Sequence, residues 1–433
     1  MQEKPRAQIS INTRLLPVLV ALLFVMQLID PYRGWMILLG GLGGAWLVSY
    51  LWALSLARGL KLTREMRFGW AQVGDKLQER FTLVNGNLAP GLWVEIIDHS
   101  TMPGYRASRV TGVGTQSTNR WYAEGRCTRR GLYTLGPTSL QTGDPFGIYT
   151  VRLHYPECAD LMVTPPILPL PSIEVAPGGR AQEGRPRPNA PERTVNAAGV
   201  RGYSPGDSLR FVHWPTSARR DSLYVRLFDS TPSSDWWIIL DADRSTQVGE
   251  GQDSTMEHGV ILSASLSNQG LQAGREVGLV ANGAELTWCP PRGGDHHRQK
   301  ILRALALLEA GDNPLGEFLA RMPPHFGRMN SLIIITADVS GGWLDSLLGF
   351  VRRGVVPTVL LLDPVSFGGD KDPDMLSALL SEVGIAHTII TRDLFNRPEV
   401  EPGRQGHWEW RVSATGRAVP IRQPRDTAWR SLS

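Results

Sequence analysis

Three oxygen-bearing side chains stand at two-residue steps, Asp241, Asp243 and Ser245, directly after the apolar run WWIIL. Two further carboxylates end apolar runs: Asp338 follows SLIIITA and Asp363 follows PTVLLL. Ligands of open α/β sheets gather at the carboxyl ends of strands, so these acids are the first candidates for chemistry. Hard oxygens on one tight turn suit Mg²⁺ or Ca²⁺. The same acids have a structural use, since such side chains end strands and cap the helices that follow. Cys289, Asp295, His296 and His297 suggest zinc, but the two histidines are adjacent and no second sulfur is near, which argues against it. There is no GxSxG elbow, GxxxxGK[ST] loop, HExxH or helix-opening GxGxxG. No nucleophile or general base can be named beside the acids, so no catalytic residue is assigned and the chain is read as a non-enzyme. A divalent-metal-dependent enzyme, or a metal-dependent ligand binder, is the alternative.

The array Asp241-x-Asp243-x-Ser245 with Asp338 resembles the metal-ion-dependent adhesion site of von Willebrand factor type A domains, whose pattern is D-x-S-x-S with a distal Thr and Asp. Asp243 replaces the middle serine, and the PPRGGDHH loop offers no threonine. The resemblance therefore implies a degenerate metal site, and weak or absent Mg²⁺ binding is expected.

The most distinctive stretch is AGVRGYSPGDSLRFVHWPTSARRDSLYVRLF, from Ala198 to Phe228. Pro205-Gly206 reads as a turn and Asp207 as a helix N-cap. Arg210, Trp214 and Arg219 follow on or near one helical side, and Pro215 should end or kink that helix. The pattern Arg201, Tyr203, Pro205, Gly206, Asp207, Arg210, Trp214, Ala218 and Arg219 resembles the signature of the DUF58 family of bacterial proteins. So do RGLYTLGP from Arg130 and DPFG from Asp144. Gly202 and Pro215 depart from the family pattern, which usually has Glu and often Lys there. The resemblance implies a membrane-anchored protein with a von Willebrand A-like domain and a MoxR-type AAA+ ATPase as partner. Other membrane or envelope proteins would be the clients of assembly or maturation. Within the signature, Arg201 and Asp207 are expected to be structural, and Trp214 and Arg219 to face the partner.

Composition narrows the classes. Apolar residues are 42% and charged residues 20% of 433, which excludes a chain disordered throughout. Forty-five Lys and Arg against 41 Asp and Glu give +4 without clustering, which argues against a nucleic-acid partner. Three scattered cysteines, Cys127, Cys158 and Cys289, fit a reducing compartment.

The elements that must position these residues follow from pattern. Residues 60–165 alternate in short runs broken by Asn85-Gly86-Asn87, Pro103-Gly104 and Gly112-Val113-Gly114, which reads as a β-sandwich. Residues 166–197 form a Pro-rich linker and 198–234 the signature segment. Residues 235–395 alternate apolar strands with helices, as a Rossmann-type α/β sheet requires. Residues 396–433 are assigned to a C-terminal strand and tail.

Residues 1–59 are expected to form a transmembrane helix hairpin. The run from Gly34 to Ala57 spans a bilayer; LLPVLVALLFVMQLI reaches only ~22 Å of a ~30 Å core and would borrow from Ile9 to Thr13. Lys4, Arg6 and Arg14 precede the pair, Arg58, Lys61, Arg64 and Arg67 follow it, and the loop holds Arg33 alone beside Asp30. The positive-inside rule therefore puts both ends in the cytoplasm of a bacterial cell membrane, with the bulk of the chain. Gly40 and Gly44 form a GxxxG step suited to close helix approach.

Overall fold

The computed structural model describes residues 6–170, 173, 175–176, 197–203, 212–220, 222–228, 235–323 and 331–394, together with three short strands after residue 408. The fold is mixed α/β with several sheets. Two compact units form: Met1–Leu168 with Gln299–Leu308 and Phe395–Ser433, and Pro169–Arg298 with Glu309–Leu394.

The first unit opens with β1 (Arg6–Ile11), α1 (Leu15–Ile29) and α2 (Arg33–Gly59). Ten strands follow: β2 (Leu60–Met66), β3 (Trp70–Gln72), β4 (Lys76–Asn85), β5 (Gly91–Asp98), β6 (Arg109–Val113), β7 (Thr118–Arg126), β8 (Gly131–Leu135), β9 (Thr138–Gly143), β10 (Tyr149–Tyr155) and β11 (Ala159–Thr164). They form sheets ordered β1-β10-β9-β5-β6, then Arg430–Ser431 with β2-β4-β7, and β3-β11-β8. One apolar core takes side chains from all three, with Phe81 and Leu83 beside Leu140, Val151 and Leu161. The strict alternation of β4 puts Leu77, Glu79, Phe81, Leu83 and Asn85 inward.

Two sequence expectations about the helices change. Residues 6–11 cannot lengthen α1, because they are strand: Arg6 to Ile11 pair antiparallel with His154 to Tyr149 of β10. Only Arg33–Gly59 is therefore long and apolar enough, among the described residues, to cross a membrane. Nor do Gly40 and Gly44 face α1; a Cβ at either would meet nothing within 4 Å, whereas one at Gly43 would touch Val20 at 3.8 Å. Ser49, Ala53, Leu56 and Gly59 form the buried stripe of α2, and Ala53 and Leu56 belong to the β-unit core.

Inward alternation also buries charge. Glu79 on β4 and Arg64 on β2 both point inward, and Arg64 binds Glu79 through Nε (2.8 Å) and Nη2 (2.6 Å). Its Nη1 reaches Asp98 at 2.7 Å and Thr138 at 3.1 Å, and its guanidinium lies 5.1 Å from the Phe81 ring centre. The Tyr105 hydroxyl donates to Glu79, and burial pushes the pKa of that phenol upward.

The second unit contains β12 (Ala197–Gly202), α3 (Trp214–Arg220), β13 (Tyr224–Phe228), β14 (Trp236–Leu240), α4 (Thr255–Gln272), β15 (Val277–Asn282) and β16 (Leu286–Arg292). After α5 (Asp295–Leu307), which straddles the division, come α6 (Leu315–Ala320), β17 (Ser331–Thr336), α7 (Leu344–Val351), β18 (Val356–Leu362), α8 (Asp374–Glu382) and β19 (Ala386–Ile390). The six-stranded sheet runs β16-β15-β14-β17-β18-β19, parallel except for the edge strand β16. Continuous apolar runs suit it because both faces are covered. Trp237, Ile239, Leu332 and Ile334 pack with α6, α7 and α8. On the other face, Gly259 lets α4 approach so closely that a Cβ would meet Leu240 at 2.9 Å. Ser254 caps α4 by accepting from the Glu257 N–H.

Removing one partner of a buried pair strands the others. Arg64→Ala is expected to cost about 3–5 kcal/mol by denaturant unfolding, because Glu79 and Asp98 stay buried. Arg80→Ala, which breaks a more exposed pair with Glu65, should cost far less in the same measurement.

Candidate functional site

The strand order reverses about β14: the chain first adds β15 on one side and then β17 on the other. Asp241 follows β14, Asn282 ends β15 and Thr336 ends β17, so three neighbouring strands deliver side chains to the switch point of the sheet. Asp241 is 2% exposed. Its Oδ1 accepts from Asn282 Nδ2 (3.0 Å) and the Asp243 N–H (3.2 Å), and its Oδ2 accepts from the Thr336 hydroxyl (2.7 Å). Burial raises its pKa to about 6 against the lowering effect of these bonds.

The surrounding loop is fixed from several sides. Asn282 Oδ1 accepts from the Ala242 N–H at 2.6 Å, and Asn282 Nδ2 also donates to the Asn313 carbonyl at 2.7 Å. Gln247 donates to the Asp241 carbonyl (3.2 Å) and accepts from the Thr255 hydroxyl (2.8 Å). Asn282 and Asn313 also line an open cleft of about 340 Å³ walled by Leu286, Trp288, Phe318 and Met322. Asn282 and Thr336 were not singled out by the sequence reading. The available signal was a polar residue closing each apolar strand, VGLVAN and SLIIIT.

Tested as metal ligands, the four predicted residues do not fit. Asp243 turns its Oδ2 to the Ser245 hydroxyl (2.9 Å) and its Oδ1 to the Ser245 N–H (3.2 Å). Asp338 gives Oδ1 to the Ser340 N–H at 2.8 Å, while its own N–H donates to Thr336 Oγ1 at 2.9 Å. Among the described residues no three His, Cys, Asp or Glu side chains gather closely enough to hold a metal ion. The acids instead cap their own turns. Asp363 does the same, accepting from the Val365 N–H at 3.0 Å. His297 is buried and its Nε2 lies 2.7 Å from the Val277 carbonyl, so it is a core histidine.

The signature segment is described from Ala197 to Tyr203 and again from Val212; Pro205, Gly206, Asp207 and Arg210, and the side chain of Arg201, lie outside the described residues. Tyr203 donates its N–H to the Leu223 carbonyl at 2.8 Å. Pro215 was expected to end a helix, but it sits in the first turn of α3, where a missing N–H removes no bond. His213 precedes α3: its carbonyl accepts from Thr216 and Ser217, and its Nδ1 lies 2.7 Å from the Thr216 hydroxyl. Ser217 is the buried residue of α3, and its hydroxyl accepts from the Tyr224 N–H at 2.9 Å, which pins the helix to β13. Trp214 is left 65% exposed, with Ala218, Arg219 and Arg220 also exposed. Arg220 lies 5.4 Å from the Tyr224 ring centre.

Residues 199–365 match DUF58. This is a family described as proteins of unknown function, and the matched span runs from β12 into the turn after β18, so it contains both α3 and the acid cluster. It leaves out the RGLYTLGP and DPFG elements that were read as part of the same resemblance. An uncharacterized protein of Mycobacterium tuberculosis is 27% identical over 37% of this chain; the alignment spans 53%, about half, of that relative. The uncharacterized protein YeaD of Bacillus subtilis is 26% identical over 70% of this chain and 79% of its own length. Among solved structures, the CARDB domain of a Pyrococcus furiosus protein covers 24% of this chain and 94% of its own length at 9% identity and a TM-score of 0.17, which carries no argument about fold.

A carboxylate with a raised pKa makes the native state hold its proton more tightly than the unfolded chain does. For Asp241 the associated stability is present below pH ~4 and lost as pH rises through about 6, by roughly 3 kcal/mol. Asp75, in the first unit, is pushed to about 6 by burial as well, so the wild type alone does not isolate the effect. Denaturant unfolding at pH 4 and pH 7 should show a drop in stability that is smaller in Asp241→Asn by about 3 kcal/mol.

Proposed function

We infer that the protein is a membrane-tethered adaptor of the DUF58 type. It presents α3 to a protein partner, a MoxR-type AAA+ ATPase, in the assembly or maturation of membrane or envelope proteins. The observation that carries this reading is Trp214, 65% exposed on a helix whose other side is pinned to β13. A large exposed indole on the same short helix as two exposed arginines has the composition of an interface anchor, because Trp and Arg dominate binding hot spots. Its place inside the span that matches the family supports a shared role. The acid cluster is read as structural: Asp241 is buried and held by Asn282 and Thr336. In this reading the second unit is a von Willebrand A-like domain of Rossmann type with a degenerate metal site, which serves as a rigid platform.

The tether is the helix pair, crossing twice, with the turn at 30–33 outside and the rest of the chain cytoplasmic. Besides the flanking charges, β1 and β2 support this. They precede α1 and follow α2, and both belong to one folded unit, so the chain must leave and return on the same side.

Trp214→Ala and Arg219→Ala should leave the melting midpoint close to wild type, since exposed truncations fall within about 0.5 kcal/mol. Each should reduce co-purification of the ATPase from native membranes by roughly 10-fold or more, the scale of a hot-spot loss. Retained co-purification in both variants would remove α3 from the interface.

A further inference from the structure

The helix pair is too short for the bilayer if the β-unit stays in water. α2 is docked to that unit over its second half. Trp46 Nε1 donates to the Tyr149 hydroxyl at 2.7 Å, Trp52 Nε1 to the Pro90 carbonyl at 3.2 Å, and Asn87 Nδ2 to the Ser55 carbonyl at 2.7 Å. Residues 33–45 remain, ~20 Å of helix, and α1 offers ~22 Å, against a ~30 Å hydrocarbon core.

The rim from which the pair emerges is built for a lipid boundary. At this end of the five-stranded sheet Gly143 pairs with Thr150, Ile11 with Tyr149, and Gly91 with Val113. The 86–90 and 114–117 loops adjoin it, tied by Thr115 Oγ1 to the Leu88 carbonyl at 2.8 Å. Between Arg80 and Glu95, Arg109 and Arg120, and Arg130 and Arg152, the only charged residue is Asp144. That carboxylate is 2% exposed and turned inward, accepting from the Phe146 N–H (2.9 Å) and the Tyr149 N–H (2.6 Å). What the rim shows outward is Leu88, Leu92, Trp93 and Phe146, all exposed. Arg14, exposed at the foot of α1, stands where a guanidinium meets phosphate headgroups.

We propose that this rim is itself seated in the membrane interface, so that Leu88, Leu92, Trp93 and Phe146 enter the boundary between headgroups and acyl chains around the helix pair. The proposal rests on the membrane reading above and adds to it a second, monotopic contact. Apolar side chains with two aromatics among them, on strand ends and loops whose one acid is turned inward, match an interfacial zone ~5–10 Å deep. That depth accounts for the missing helix length. The bilayer is the occupant favoured over a second copy of the chain because the patch is continuous with the apolar helices.

The test is spin-label accessibility in the full-length protein reconstituted into phosphatidylethanolamine and phosphatidylglycerol vesicles, in a Cys158→Ser background. Labels are placed at Leu92→Cys and Phe146→Cys on the rim, Ile37→Cys on α2, and Glu124→Cys on β7 away from the rim. The rim labels should be severalfold more accessible to oxygen, relative to a water-soluble nickel chelate, than the label at 124. A lipid-exposed label at 37 with rim labels as water-exposed as that at 124 would overturn the proposal and leave the tether standing. Rim labels shielded from both reagents would overturn it in favour of self-association. An aqueous label at 37 would remove the tether and the proposal together.

Discussion

The strand before α1 and the strand after α2 are locked into one folded unit, and everything about placement depends on that. β1 pairs with β10 over six residues, and β2 pairs with β4 from Leu60 to Met66. In the membrane reading proposed above, a chain so tied permits an even number of crossings and no other. It also fixes how much helix is free of the β-unit, because Ser49, Ala53 and Leu56 are buried in the docked half of α2. The proposed topology, depth and seating of the rim are then one problem in length and charge.

Much of this was legible in the sequence because it depends on local pattern. Alternation announced the β-strands, and continuous apolar runs announced the buried parallel sheet. The signature motif located the segment that matches DUF58. What was not legible depends on pairing. Ile9 to Thr13 were assigned to the first helix because an apolar run follows them, although Ala7, Ile9 and Ile11 alternate as a strand does and β10 supplies the partner. Pro215 was read as a helix end because the first turn of α3 has no apolar period to mark it. The GxxxG step named the wrong glycines because helix rotation is set by the β-unit docked to α2, not by α1.

The candidate site was half legible for the same reason. Asp241 was found from its place after a strand, but its environment comes from residues 41 and 95 positions away, Asn282 and Thr336. Those partners turn an apparent metal ligand into a capped carboxylate, and burial outweighs their bonds in raising its pKa. Arg64 carried a different hidden role. It was counted among the charges that flank a membrane span, yet alternation turns it inward to Glu79 and Asp98, where it organises the core. The flanking count loses one residue and keeps its sign, with Arg58, Lys61 and Arg67 still following α2.

The central claim is that the turn between the two helices and the rest of the chain lie on opposite sides of the membrane. Labelling with an impermeant thiol reagent in intact cells tests it most directly, using Asp30→Cys in the turn and Met375→Cys on exposed α8 in a Cys158→Ser background. The account predicts that Asp30→Cys reacts in intact cells and Met375→Cys reacts only after lysis. Reaction of Met375→Cys in intact cells, with Asp30→Cys protected, would contradict it.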